Sequence, residues 1–324
     1  MMTQLEQLRS MSTVVADTGD IESILRYRPH DATTNPTLLL KAFALPVWQP
    51  QVQQALTLAA QEGDNHGFAG RAAEHLAVLI GCKILEVVPG YLSTEVDARL
   101  SFDTARTIDG AKRLIDLYHR AGGDTDRVLV KIAATWEGIA AARQLERDGI
   151  ATNLTLLFNL TQARACADAG VTLISPFVGR ILDWHKKNRG LSLHSPAEDP
   201  GVQSVTRIFH YYKQHNYNTI IMGASFRNKE EVLELAGCDR LTISPALLEE
   251  LSRDRTPIEK KLQSSGSSKG AAAAAMGQER FRWQMNEDPM ATEKLAEGIR
   301  NFAVDSGKLE ECIKAHCATA ANVT

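Results

Sequence analysis

The chain has 324 residues, of which 44% are hydrophobic and 23% charged, so it can bury a large core and form either one big barrel or two ordinary domains. Its net charge is −3 and its pI about 6.3, and no overall positive field would therefore draw in nucleic acid or an anionic membrane. The sequence has no apolar run of signal-peptide or membrane-span type, and its five cysteines form no CxxC pair; we expect a cytoplasmic protein with reduced thiols.

Strand-like and helix-like segments alternate along most of the chain. The predicted strands are residues 12–19, 31–38, 91–97, 127–133, 151–157, 171–177, 218–225 and 240–245. Between them, residues 104–123 carry apolar side chains at helical spacing and end on two glycines. After the fourth strand, Thr135 can cap a helix that Gly149 ends. Eight strand and helix units predict a parallel sheet that closes, the (β/α)8 TIM barrel.

A doubly wound open sheet is the alternative architecture. Such a sheet, when it binds dinucleotides, usually has a GxGxxG turn after its first strand, and this sequence has none. Polar residues within or near the C-terminal halves of seven predicted strands favour the barrel, because a barrel brings those positions to one mouth. They are Asp17, Asn35, Glu95, Lys131, Asn153 with Thr155, Ser175 and Ser225.

Two regions fall outside the repeat. Residues 264–280 contain Ser, Gly and a run of alanines, and we expect a mobile connector there rather than a domain boundary. In the segment that follows, the spacing of apolar residues predicts amphipathic helices packed on the barrel. Residues 315–324 are predicted to be a frayed tail. The prediction is one barrel domain over residues 1–324 with additional N- and C-terminal helices.

Lys131 lies in the middle of an apolar strand, where an ammonium group is costly unless it is paired or made neutral. Strand alternation puts it on the face of Leu129 and Ala133, toward the barrel interior. Burial favours the neutral amine, which can attack a carbonyl. The alternative is a structural lysine whose stem packs while its head reaches solvent or a carboxylate.

Imine chemistry also needs proton carriers, and Asp17 and Glu95 are the candidates. Asp17 could instead be a turn or helix cap before Gly19, and Glu95 could merely pair with Arg99. Histidine spacing gives little support for a catalytic metal, and GASFR lacks the GxSxG pattern of a nucleophilic serine.

An anion site is predicted after strands 6 and 7. Arg180 follows strand 6, and Ser225 and Arg227 follow strand 7, so a barrel would bring both guanidinium groups to the same mouth. The alternative is that each is an ordinary surface arginine.

Eight segments in order resemble the transaldolase family, from about residue 4 to the C-terminal helix. They are VVADTGD (14–20), DATTNPTLLL (31–40), STEVDARLSFDT (93–104), VLVKIAATWEGI (128–139), NLTLLF (153–158), ISPFVGRILDW (174–184), GASFRN (223–228) and AGCDRLTISPALL (236–248). The chain is most similar to the longer bacterial and eukaryotic type, whose members are usually homodimers. Only the alanine-rich stretch at about 264–280 lacks a recognisable family pattern.

The resemblance implies a class I aldolase that needs no cofactor and acts on sugar phosphates. Within it, Lys131 would form the Schiff base, Asp17 would exchange a proton with the donor's C4 hydroxyl, and Glu95 with Thr155 would hold a catalytic water. Asn35 and Asn153 would contact the dihydroxyacetone unit, with Ser175 near it. The sugar phosphate would be bound by Arg180, Ser225 and Arg227.

The implied reaction moves dihydroxyacetone from sedoheptulose 7-phosphate to glyceraldehyde 3-phosphate, a step of the pentose phosphate pathway, and gives erythrose 4-phosphate and fructose 6-phosphate. Two alternatives remain open at this point. One is a simple Schiff-base aldolase that cleaves fructose 6-phosphate. The other is a barrel that binds sugar phosphates without catalysis, against which Lys131, Asp17 and Glu95 speak.

Overall fold

Eight parallel strands close into a barrel in a computed structural model that describes residues 2–63, 67–263 and 275–321. Each strand pairs with the next in the sequence, and the last pairs with the first. The strands are β1 (Thr13–Asp17), β2 (Asp31–Thr33), β3 (Leu92–Glu95), β4 (Val128–Ala133), β5 (Thr152–Leu157), β6 (Leu173–Pro176), β7 (Ile220–Gly223) and β8 (Arg240–Ile243). Each lies within a predicted segment, and the predicted (β/α)8 TIM barrel with additional helices is confirmed.

Helices surround the barrel and extend it at both ends of the chain. They are α1 (Gln4–Arg9), α2 (Ile21–Tyr27), α3 (Pro36–Phe43), α4 (Gln49–Gln61), α5 (Phe68–Leu85), α6 (Thr104–Arg120), α7 (Trp136–Arg147), α8 (Leu160–Ala169), α9 (Gly179–Arg189), α10 (Pro200–Gln214), α11 (Lys229–Glu234), α12 (Pro245–Arg253), α13 (Gln278–Asn286) and α14 (Pro289–Ala321). Thr135 caps α7 as predicted, because its side chain accepts a hydrogen bond from the Gly138 N–H. None of the described helices is long and apolar enough to cross a membrane.

The two faces of the strands pack against different partners. Val15, Leu129, Leu173 and Met222 come from four strands and form a small apolar cluster of their own inside the barrel. The alternate side chains of β4 belong to the large core between the strands and the helices. Lys131 is two residues after Leu129 and therefore faces the interior, as the sequence pattern predicted.

The second strand is shorter than predicted. It ends at Thr33 rather than at 38, and Asn35 is the N-cap of α3, with its Oδ1 accepting a hydrogen bond from the Leu38 N–H at 3.0 Å. Pro36 follows at the first helical position, where its missing N–H costs nothing. The capping amide and the proline turn the chain away from the barrel immediately after β2.

Strand β5 contains an irregularity beside the predicted site. Its register with β6 shifts between Leu154 and Leu157, and Leu156 has a φ of 52°, in the left-handed region. A β-bulge changes the direction of neighbouring side chains and is frequent next to active sites. Helix α14 covers it closely, since a Cβ on Gly298 would lie 2.5 Å from Leu156 Cδ2.

The C-terminal region differs in part from the sequence prediction. Of the predicted mobile connector, residues 264–274 lie outside the described residues, whereas residues 278–280 form the first turn of α13. Met276 is buried and its N–H donates to Asp168 Oδ2 at 2.7 Å, contacts that composition alone does not reveal. Helix α14 continues to Ala321 through the predicted frayed tail, where alanines favour the helix; residues 322–324 lie outside the described residues.

Candidate active site

Lys131 and Glu95 meet inside the barrel. They are direct neighbours in the register of β3 and β4, and Lys131 Nζ lies 3.3 Å from Glu95 Oε2. The amine also donates to the Thr34 carbonyl at 3.4 Å. Lys131 is 5% exposed and the Glu95 side chain 3%. The amine is therefore held almost out of water beside one carboxyl group.

Burial dominates the electrostatics of Glu95. It raises the pKa of this carboxyl, an effect that the nearby positive charges of Lys131 and Arg180 only partly oppose, while Asp17 raises the pKa further. The alternative partner considered for Glu95 is wrong, because Arg99 pairs with Asp97 and Glu310 on the outside of the barrel.

Asp17 is the last residue of β1 and is half-buried at the barrel mouth. Its Oδ1 accepts a hydrogen bond from Thr33 Oγ1 at 2.9 Å, and the two residues are neighbours in the register of β1 and β2. It is not the helix cap considered as an alternative, since Asp20 caps α2. Asp17 is close enough to act on the pKa of Glu95, so the structure brings both acids to one site.

Polar side chains of three strands form a hydrogen-bonded chain across the interior. Asn153 is fully buried, donates to Ser93 Oγ at 2.9 Å and accepts from Ser175 Oγ at 2.7 Å. Asn153 is also the register neighbour of Lys131. These bonds fix the orientation of the Asn153 amide beside the amine.

Two buried oxygens near Lys131 make no hydrogen bond. Within the described residues, Thr155 Oγ1 and Glu95 Oε2 have no hydrogen-bond partner; the 3.3 Å contact of Glu95 with Lys131 is an ion-pair contact without hydrogen-bond geometry. Thr155 is the register neighbour of Ala133, two residues beyond Lys131. A buried polar atom without a hydrogen bond is costly, so these two oxygens are suited to contact a water or a ligand.

Arg180 occupies the N-terminal turn of α9, next to the mouth. Its guanidinium stacks on the ring of Phe177, with 5.0 Å from Cζ to the centroid, and lies 5.8 Å from that of Phe302. Burial lowers its pKa most and the charge of Arg227 lowers it further, while Glu297, Glu95 and Asp17 raise it. Arg180 thus lies within electrostatic reach of both acids and of the second arginine.

The segments that carry Arg180 and Arg227 approach each other very closely. The N–H of Gly179 donates to the Ser225 carbonyl at 2.9 Å, and Ser225 itself has a left-handed φ of 61°. A Cβ on Gly179 would lie 2.4 Å from Arg227 Cγ and 2.8 Å from the Ser225 oxygen. Glycine is therefore required at 179 for this approach.

Arg227 is more exposed than the other predicted site residues. Its Nε and Nη2 donate to Asp183 Oδ2 at 3.0 and 2.8 Å, and its side chain is 43% exposed. Asp183 belongs to α9, the helix that begins beside Arg180. Arg227 is thus tied to the helix whose first turn carries Arg180.

Three residues of the site were not singled out from the sequence: Thr33, which bonds Asp17, Ser93, which bonds Asn153, and Asp183, which holds Arg227. Strand alternation offered a signal for Ser93, which stands two residues before Glu95 on the same face of β3. Thr33 is the last residue of β2 and Asn35 lies beyond that strand, so alternation gave no valid signal for Thr33. No comparable signal pointed to Asp183.

An amine that shares a nearly dry barrel interior with carboxyl groups has the two parts that imine chemistry needs, a nucleophile and proton carriers. Together with the barrel, this arrangement defines the lysine-dependent class I aldolases. The chain belongs to the family described as Transaldolase/Fructose-6-phosphate aldolase, which matches residues 14–313.

Curated relatives match the chain over nearly all of its length. A transaldolase of Shewanella piezotolerans is 59% identical over 320 residues, which cover 98% of this chain and 100% of that protein. A transaldolase of Shewanella loihica is 59% identical over 97% of this chain and 99% of its own length. One of Edwardsiella ictaluri is 58% identical with the same shares. The predicted family and the predicted enzyme class, a transaldolase, are confirmed by these comparisons.

Proposed function

We propose that the protein transfers a dihydroxyacetone unit from sedoheptulose 7-phosphate to glyceraldehyde 3-phosphate through a Schiff base on Lys131. The observation that carries this proposal is the amine of Lys131, buried in the barrel 3.3 Å from Glu95. The products are erythrose 4-phosphate and fructose 6-phosphate. Membership of the transaldolase family supports the reaction class, and the assignment of each residue is the proposal.

The raised pKa of Glu95 supports this carboxyl group as the acceptor of the Lys131 proton. A proton that passes from the Lys131 ammonium to the Glu95 carboxylate leaves two neutral groups, which a buried site favours. The amine then attacks the C2 ketone, and loss of water gives a protonated imine that withdraws electrons from the C3–C4 bond.

Asp17 is the proposed base for carbon-carbon cleavage. It takes the proton of the C4 hydroxyl, the C3–C4 bond breaks and its electrons pass into the imine, so that erythrose 4-phosphate leaves and a three-carbon enamine stays on Lys131. Thr33 supports this role because its hydroxyl fixes one oxygen of Asp17 at 2.9 Å. The enamine then attacks the aldehyde carbon of glyceraldehyde 3-phosphate, and the steps run in reverse.

The enamine must be held without early protonation by water. Asn35 and Asn153, with Ser175 nearby, are proposed to bind its hydroxyl groups. Because Asn35 Oδ1 is engaged in capping α3, we assign the contact to its Nδ2. The unpaired oxygens of Thr155 and Glu95 support a single bound water that serves imine formation and hydrolysis.

Arg180, Ser225 and Arg227 are the proposed phosphate site. Guanidinium groups match phosphate oxygens with paired donors, and two of them here lie close enough for the charge of Arg227 to lower the pKa of Arg180. A phosphate dianion would remove that repulsion.

Turnover of fructose 6-phosphate with and without erythrose 4-phosphate tests the proposal. A transaldolase forms glyceraldehyde 3-phosphate much faster when the acceptor is present, because the acceptor removes the enamine. Equal rates with release of free dihydroxyacetone would identify a simple aldolase, and no turnover at all would identify a barrel that only binds sugar phosphates.

We further propose that the protein is a cytoplasmic homodimer with one barrel domain. The cytoplasmic location rests on the composition and the reduced cysteines, and the dimer on the family resemblance. Sedimentation velocity at micromolar concentration tests the dimer: a single species of twice the 35.5 kDa chain mass is expected, and a species of the chain mass would refute it.

A further inference from the structure

Two carboxyl groups are buried against each other behind the segment that carries Arg227. Asp199 and Glu231 are each 1% exposed, and their carboxyl groups lie close enough together for each to act on the pKa of the other. Asp199 is the N-cap of α10 and accepts from the Gly201 N–H at 2.7 Å. Two carboxyl groups can form a hydrogen bond to each other only if one of them carries a proton.

Glu231 connects this pair to Arg227. Its Oε2 accepts a hydrogen bond from the backbone N–H of Arg227 at 2.7 Å, and its Oε1 accepts one from Asn228 Nδ2 at 3.4 Å. The contact thus fixes the backbone position from which the arginine side chain extends.

Asp199 connects the pair to the segment that leads to Arg180. A Cβ on Gly201 would lie 2.2 Å from the Val178 carbonyl oxygen, so the start of α10 packs tightly against the residue before α9. A bond between the two carboxyl groups would therefore tie together the two segments that carry the arginines.

The charges around the pair are mixed. The charged and titratable groups on the neighbouring elements are Arg227 with its partner Asp183, His185 and Lys186 of α9, Glu198 before α10, and Lys229 with its partner Asp254. Burial raises the pKa of both carboxyl groups, and for Glu231 it acts with the charge of Asp199, against the bond from Arg227, to give about 7.

We propose that Asp199 and Glu231 share one proton, and that this shared proton holds Arg227 in its phosphate-binding position. The inference rests on the proposed phosphate role of Arg227. When the proton is lost to solvent, two carboxylates face each other without a bond between them, and their repulsion moves the Arg227 segment. Glu231 and Asp199 are positioning residues, because both are buried and act through Arg227.

The direction of the pH effect follows from the raised pKa. Between pH 4.5 and about pH 7, the folded protein keeps a proton on Glu231 that the unfolded chain releases. The contribution of the pair to the free energy of unfolding is therefore complete below pH 4.5 and declines as the pH rises to about 7. The phosphate site should lose its alignment over the upper part of this range. Burial and Arg189 lower the pKa of His185 below 6.5, so the midpoint of its titration lies below the pH range of the KM measurements.

Glu231→Gln separates the shared proton from the rest of the contact. The Gln carbonyl can still accept from the Arg227 N–H, and its amide can donate to Asp199, with no proton to lose. From pH 6.5 to 8.5 we expect the KM of the wild type for fructose 6-phosphate to rise about fivefold or more, with kcat changed much less. The KM of Glu231→Gln should stay at the low value throughout.

Two further variants complete the design. Asp199→Asn can supply the missing donor from the other side of the pair and should give the same flat KM. Glu230→Gln, a change at the exposed neighbour of Glu231 on α11, should keep the pH profile of the wild type. The substrate phosphate also ionises, with a second pKa of about 6. This ionisation affects the wild type and the three variants alike, so it cancels when their KM profiles are compared.

Infrared difference spectra measure the proton directly. The wild type should show a protonated-carboxyl band at pH 6.5 that is lost by pH 8.5 and is absent in Glu231→Gln. The proposal is overturned if that band is absent from the wild type, or if both Gln and Asn variants keep the pH-dependent rise in KM. If the wild type does not use fructose 6-phosphate at all, the proposed function falls; the infrared band and the affinity for inorganic phosphate at the two pH values then decide this inference alone.

Discussion

Gly179→Ala tests whether the close approach of two barrel loops positions the phosphate-binding arginines. The added Cβ would lie 2.4 Å from Arg227 Cγ, 2.8 Å from the Ser225 carbonyl oxygen and 3.2 Å from the Arg227 nitrogen. Two of these atoms belong to the backbone and cannot rotate away. The β7–α11 segment must therefore move outward as a whole.

The size of the movement can be worked out from the distances. Ordinary contact with a Cβ begins near 3.4 Å, so Arg227 Cγ must retreat by about 1 Å. Overpacking of this kind costs about 1–3 kcal/mol in stability, and a binding group misplaced by about 1 Å can cost 10²-fold in rate. We expect kcat/KM for fructose 6-phosphate to fall at least 30-fold, which corresponds to about 2 kcal/mol.

The assay is steady-state turnover of fructose 6-phosphate with erythrose 4-phosphate, with thermal unfolding measured in parallel. Gly307→Ala is the matched control, since Gly307 also lies in a helix and, apart from its chain neighbours and the backbone of its own helix, no atom of the described residues lies within 4 Å of its added Cβ. It should keep full activity and gain about 0.5–1 kcal/mol in stability. If Gly179→Ala folded and kept the kcat/KM of the wild type, the close approach at 179 would not position Arg227.

Three further variants test the proposed roles one at a time. Asp17→Ala should still form the imine with fructose 6-phosphate but cleave it about 10²-fold more slowly in single-turnover trapping, and a normal cleavage rate would end its assignment as the base. Glu95→Gln should slow imine formation and hydrolysis by about 10²-fold, measured by ¹⁸O exchange at C2, and unchanged exchange would contradict a role in handling water. Arg227→Ala should lower kcat/KM for fructose 6-phosphate by about 2 kcal/mol or more and for unphosphorylated fructose by much less. Arg120→Ala, a control at a more exposed arginine that is also ion-paired, should change neither, and equal losses for both sugars would assign Arg227 to the fold.

Strand alternation and strand count predicted most of the fold. Lys131 among β-branched residues could be oriented because side chains alternate across a strand, and the structure places Leu129 in the interior cluster on the same face. The end of β2 was misjudged because TTNPTLL suits either a strand or a helix start, and the Asn35 cap decides between them. A local amide-to-backbone bond of this kind has no signature in hydrophobic periodicity.

The sequence predicted most of the residues of the candidate site that lie on the inward face of a strand. Pairings such as Glu95 with Lys131 follow from register, but the sequence does not give the register of parallel strands, so their 3.3 Å separation needed the structure. The same holds for Asp183 with Arg227 and for Asp199 with Glu231, which come from different strand-helix units. Long-range side-chain pairs depend on the three-dimensional arrangement and not on spacing along the chain.

Borohydride trapping tests the central claim most directly. Reduction in the presence of fructose 6-phosphate should leave one stable three-carbon adduct, found by mass spectrometry on the peptide that contains Lys131, with loss of activity in proportion to labelling. Lys131→Met should give no adduct, and the surface control Lys112→Met should be labelled like the wild type. An adduct on another lysine, or full activity with no adduct, would contradict the account of Lys131 as the nucleophile.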